Sequence, residues 1–191
     1  DSMKTIVAEG AHMASRSITR TGTRDANPGM RFVATTFYDG QGFMVPKKLG
    51  VTGASELTGA TVCAEEGSTP LTILTRPDAT LETAIYWAFQ VMLNAEEMDI
   101  TSENVDAIMA DLANQPQGVV RLLATDSAAG EMAQQIGLPA DWSYQVIKQV
   151  GNYGEVYERH LGTKTTFGME RTGTVNALSR DGGLLYPDPI R

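Results

Sequence analysis

Apolar positions are spaced two ways in this chain, and the change comes near residue 77. Before it, short β-branched and aromatic runs predict strands: Arg31–Tyr38, Phe43–Val45 up to Pro46, Ala60–Ala64 and Leu71–Thr75. Residues 1–14 show little periodicity. Residues 15–29 are crowded with hydroxyls and end in Asn-Pro-Gly, which predicts a loop rich in donors. After residue 77 the spacing turns helical. Leu81, Ala84, Ile85, Ala88, Met92 and Ala95 define a first helix with Asp78 or Thr80 as its cap. A second helix follows Thr101-Ser102 with Val105, Ile108, Met109 and Leu112 on one side. Pro116 opens a third through Leu123. Asp141 caps a fourth over Trp142–Val150, and a fifth runs from Tyr153 to Leu161 before Gly162. The tail, with Pro187 and Pro189, is extended.

Strands come first and helices after, an odd order for a complete domain. Parallel pairing needs crossover connections that the first 75 residues do not provide, and the helices then follow with no strand between them. The helical half is therefore expected to cover a sheet that the chain supplies only in part.

Composition narrows the function. The 191 residues are 42% hydrophobic and 20% charged, which suits one or two small globular domains. No apolar run approaches the roughly 18 residues of a membrane-spanning helix. One cysteine, Cys63, and two histidines, His12 and His160, are a poor inventory for metal or covalent catalysis. No cofactor or metal is expected, and no role is assigned to either histidine. The net charge of −8 is uneven. Residues 1–50 hold seven Lys/Arg against four Asp/Glu, and the remainder hold eight against nineteen. The acidic majority argues against a nucleic-acid partner. The cluster Arg16, Arg20, Arg24 and Arg31 suits either a solvated face or an anionic group such as a carboxylate.

Several stretches are long enough to be specific: YDGQGFMVPKKLGV at 38–51, Asn94-Ala-Glu-Glu, IKQVGNYGEVYER at 147–159, Asn176-Ala-Leu, Gly182-Gly183 and Pro189-Ile-Arg. Together they resemble the periplasmic solute-binding proteins of ABC transporters for polar and general L-amino acids, over about residues 8–69 and 81–191. The resemblance implies an α/β fold of two lobes joined by hinge strands, here partial, with a strand-rich N-terminal half and a helical C-terminal half. It divides the chain into 1–37 (partial lobe one), 38–76 (hinge strands and a remnant of lobe two) and 77–191 (the helical part of lobe one). Counterparts of the family's opening segments and of most of lobe two are expected to be missing, the second gap falling near Ser68–Leu74.

The same resemblance implies the chemistry of a site. A zwitterion's carboxylate can be held by a guanidinium with hydroxyl and N–H donors, and its ammonium by a buried acid. Ser17, Thr19, Thr21 and Arg24 fall where the family meets the carboxylate, and Ser68 and Thr69 follow Gly67 where the facing lobe contributes. On its own Arg24 reads as a surface arginine, and Gly67–Thr69 as a polar loop. The family's ammonium-binding aspartate and its ligand-stacking aromatic fall in the missing segments, so binding of an L-amino acid is expected to be weak or absent. Cys63 would pair in the family with a cysteine of lobe two; alone it reads as a small buried residue. Tyr38, Phe43, Trp87, Phe89, Trp142 and Tyr144 are expected in the core. The implied function is the solute-binding component of an importer, periplasmic, with a membrane permease as partner and possible self-association. The alternatives are a remnant that binds nothing and, less favoured, an enzyme using Glu65 or Glu66.

Overall fold

The computed structural model describes residues 10–17, 20, 31–38, 46–50, 71–75 and 78–190. Three strands form one sheet: β1 (Met13–Ser17), β2 (Arg31–Phe37) and β3 (Leu71–Thr75). β3, the last in sequence, lies in the middle and runs antiparallel to both neighbours. β1 is in register along its whole length, Met13 opposite Thr75 and Ser17 opposite Leu71. This corrects the loop expected from residue 15. Ser15, Arg16 and Ser17 are drawn into a strand by five consecutive pairings with β3, and a tertiary partner of that kind overrides polar composition. β2 is less regular, with shifts between Phe32 and Ala34 and between Thr35 and Phe37.

Six helices follow: α1 (Ala79–Glu97), α2 (Val105–Ala110), α3 (Gln117–Leu123), α4 (Ala128–Ile136), α5 (Trp142–Val150) and α6 (Tyr153–His160). Asp78 caps α1 by accepting from the N–H groups of Thr80 and Leu81, both at 3.1 Å. At α5 the sequence expectation needs correcting. Asp141 precedes the helix, but its carboxylate accepts from the Gln145 side chain at 2.7 Å and makes no capping bond.

α1 is the organising element. It packs on β2 and α6 on one side and on α3, α4 and α5 on the other. Phe89 and Leu93 enter one core with Tyr153, Tyr157, Leu178 and Leu185. Val91 and Ala95 enter a second with Ile100, Leu122, Leu123, Trp142 and Ile147. Residues two apart lie about 200° around a helix, so these pairs look in opposite directions. The single apolar stripe expected from Leu81 to Ala95 is therefore replaced by a helix buried on two faces. Of the expected core aromatics, Phe89 and Trp142 are buried, and Tyr38, Trp87 and Tyr144 are half-buried against the two cores. Phe43 lies outside the described residues.

Candidate amino-acid site and its scaffold

The sheet register gathers three chain passages at one end. Ser17 closes β1, Phe37 closes β2, and Leu71 opens β3 opposite both of them. Thr19, Thr21 and Arg24 follow Ser17 closely in sequence, and Ser68 and Thr69 precede Leu71. Those five residues lie outside the described residues, as do Cys63, Glu65, Glu66 and the strands expected at 43–45 and 60–64. Ser17 is described through its backbone, at the last pairing of β1. Arg31, one of the four clustered arginines, belongs to the opposite end of the sheet. It pairs with Thr75, a strand length of roughly 13 Å away, and its guanidinium lies 3.7 Å from Glu82 of α1.

The motifs that carried the resemblance are tie points of the scaffold. In NAEE, the Asn94 side chain donates to the Gln90 and Asp188 carbonyls at 2.9 and 2.8 Å. The Asp188 N–H donates to Gln90 Oε1 at 2.7 Å, and the Tyr86 hydroxyl bonds the Asp188 carboxylate. One face of α1 thus grips the tail through a single aspartate. Burial, followed by the bond and charge of Asp188, pushes the Tyr86 hydroxyl up to about 12.

Glu96 of the same motif forms a fork with Arg171, Nη2 to Oε2 at 3.1 Å, both side chains largely shielded from water. The Arg171 guanidinium also lies over the rings of Tyr153 and Tyr157, at 4.8 and 5.5 Å from their centroids. Gly154 makes room for the pair, because a Cβ there would come within 3.2 Å of Glu96 Oε1 and 3.3 Å of Arg171 Nη1.

In GNYGEV, Asn152 and Glu155 form a reciprocal cap on α6. Glu155 accepts from the Asn152 N–H at 2.8 Å and from the Ser102 hydroxyl at 2.6 Å. The Asn152 amide donates to the Ile100 carbonyl at 2.8 Å. α6 is thereby fixed to the turn before α2. In the Gly182-Gly183 motif a Cβ at Gly183 would lie 1.9 Å from the Ala177 carbonyl oxygen, so the closeness of residues 177 and 183 requires glycine. Sequence reading treated these motifs as signatures of descent and missed their ties to Ile100, Ser102, Arg171 and Asp188, which join residues 52 to 94 positions apart.

Among the described residues no group of three or more His, Cys, Asp and Glu could hold a metal ion, and no helix is long and apolar enough to cross a membrane. His160 ends α6, exposed.

No family model matches the chain. Individual relatives do. The glutamate/glutamine/aspartate/asparagine-binding protein BztA of Rhodobacter capsulatus is 31% identical over 92% of this chain and 71% of its own length. The general L-amino acid-binding periplasmic protein AapJ of Rhizobium johnstonii is 28% identical over 93% of this chain and 71% of its own length. A solved structure, an ABC transporter periplasmic binding protein from Brucella ovis with glutathione bound, aligns with a TM-score of 0.80 at 25% identity, covering 98% of this chain and 79% of the other. The match to BztA extends over 246 positions, more than the 191 residues present here, so that relative carries segments inside the aligned span that have no counterpart in this chain. The chain belongs to the family of amino-acid-binding proteins of ABC transporters.

Proposed function

We propose that this chain acts in the periplasm as the solute-binding component of an importer for polar L-amino acids, with its grip weakened by the internal segments it lacks. The amino acid's carboxylate is taken by Arg24 with Thr19, Thr21 and Ser17, and from the other side by Ser68 and Thr69. What supports this most directly is the pairing of Ser17 with Leu71, since it brings the passages leading to both groups of residues to one end of one sheet. Residues 1–37 and 77–191 make up one lobe in this reading, in keeping with the packing of β2 on α1, and 38–76 carry the hinge strands and the remnant of the second. The partners are the amino acid, a membrane permease and a second copy of the chain. No catalytic step is assigned.

Losing one member of a buried charge pair costs about 2–5 kcal/mol, or roughly thirty- to several thousand-fold in affinity. Without the family's acid for the ammonium, the expected dissociation constant rises by that factor. The test is titration with L-glutamate, L-glutamine, L-aspartate and L-asparagine, followed by calorimetry and by amide chemical shifts. Weak saturable shifts that vanish in Arg24→Ala are expected. Micromolar or tighter affinity overturns the weakened grip, and binding untouched by Arg24→Ala overturns the site. Complete absence of shifts favours the second reading, a remnant that folds but captures nothing, which the missing internal segments also support.

A further inference from the structure

Among the described strands β2 is an edge, with β3 on one side only. An edge strand ordinarily presents its N–H and C=O groups to water or to another strand. At the C-terminal end of β2 side chains from far along the sequence take them instead. The Tyr153 hydroxyl donates to the Thr36 carbonyl at 2.6 Å. Asn176 accepts from the Tyr38 N–H at 2.6 Å and donates to the Tyr38 carbonyl at 2.9 Å, so its amide pairs with that residue as a neighbouring backbone would. Asn176 is 4% exposed, and its own carbonyl accepts from Arg171 Nε at 2.7 Å. Arg171 in turn is fixed by its fork onto Glu96 and lies over the Tyr153 ring.

This clamp sits at one of the two irregularities of β2. The register shift between Thr35 and Phe37 leaves Thr36 out of the ladder with β3, and such irregularities let a strand bend. We propose that Asn176 and Tyr153, held by Arg171, pin the C-terminal end of β2 to lobe one, so that β2 does not bend at its irregularity when the lobes move. Both are positioning residues, acting on the hinge through the backbone of Thr36 and Tyr38. The proposal rests on the two-lobed reading above.

The experiment uses the full chain carrying Cys63→Ser and two spin-label pairs on exposed positions. Lys48→Cys with Gln134→Cys spans the exit from β2, and Gln134→Cys with Gln149→Cys lies within the helical part. Asn176→Ala is expected to broaden the distance distribution of the spanning pair and leave the internal pair unchanged. Amide exchange at Tyr38 should rise on the order of ten- to hundredfold while the amides of Leu122 and Leu123 keep their protection. Tyr153→Phe should act in the same direction, more weakly. Equal broadening of both pairs, or faster exchange throughout the core, indicates general loosening and overturns the proposal. So does an unchanged spanning pair with Tyr38 still protected. Titration of the same variants with L-glutamate keeps the two ideas apart. Selective broadening without any binding removes the transport reading but leaves the anchor, and binding with no selective broadening removes the anchor alone.

Discussion

Replacing Arg171 with methionine is the most searching test of the scaffold. The Arg171 and Glu96 side chains are 12% and 15% exposed, so removing the guanidinium strands a largely shielded carboxylate. The same change removes the donor to the Asn176 carbonyl and the cation over two tyrosine rings. Breaking a buried pair from one side costs about 3–5 kcal/mol. The groove bounded by Glu96, Gly154, Glu158 and Arg171 opens to solvent, which places the expected loss at the lower end, about 3 kcal/mol. For a chain of this size that lowers the melting temperature by about 6–12 °C. Glu96→Gln keeps the shape and one acceptor and should cost about 1–2 kcal/mol. The double variant Arg171→Met, Glu96→Leu, set against Glu96→Leu alone to close the cycle, should recover much of the loss, because two apolar side chains leave no orphaned charge. Urea unfolding followed by tryptophan fluorescence reads the cycle. Trp142 is a good reporter, 4% exposed and with its indole N–H bonded to the Ala129 carbonyl at 2.9 Å. A coupling of about 2 kcal/mol is expected. Coupling below about 0.5 kcal/mol, or a loss under about 1 kcal/mol for Arg171→Met, refutes a shielded tie between α1 and the C-terminal segment.

Two further outcomes follow from the tail. Gly183→Ala forces a Cβ against the Ala177 carbonyl and should cost about 1–3 kcal/mol in the same unfolding assay; a neutral result would mean that this approach is looser than drawn. The Tyr86 hydroxyl titrates at about 12 in the fold against 10.0 when free, so the folded state favours its protonated form. Its contribution to stability is complete below pH 10 and is lost as the pH rises toward 12. Tyr86→Phe should flatten that part of the alkaline decline in melting temperature, and an unaltered decline would refute the assignment. Burial also pushes Tyr153 up to about 12, so Tyr153→Phe should flatten the decline in the same way.

Much of the helical half was legible because its signals are local. Asp78 bonds two and three residues ahead, Gly151 follows the end of α5, and Tyr153–His160 carries its own cap in Asn152 and Glu155. α4 escaped because its buried residues are chiefly small, Ala129, Gly130 and Ala133, which pack closely yet give a faint apolar rhythm. β1 escaped because Met-Ala-Ser-Arg-Ser has no strand chemistry of its own and is made a strand by β3. The ties through Asn94, Arg171 and Asn176 were illegible for a different reason. Each joins residues 75 to 138 positions apart, and no local pattern announces such a partner.

The central place of β3 has a bearing on how the molecule is made. A ribosome delivers Met13–Ser17 and Arg31–Phe37 well before Leu71–Thr75, and those two segments border it without touching each other in the ladder. Until that third segment emerges, both wait with open backbones, a condition that invites stray pairing between nascent copies. A holding factor, or rapid arrival of residues 71–97 to supply at once the central strand and the helix that packs on β2, would shorten this window. A chain bound for the periplasm crosses the membrane in the same order, so slowing its passage just upstream of Leu71 should harm the yield of native material more than the same delay placed after Glu97.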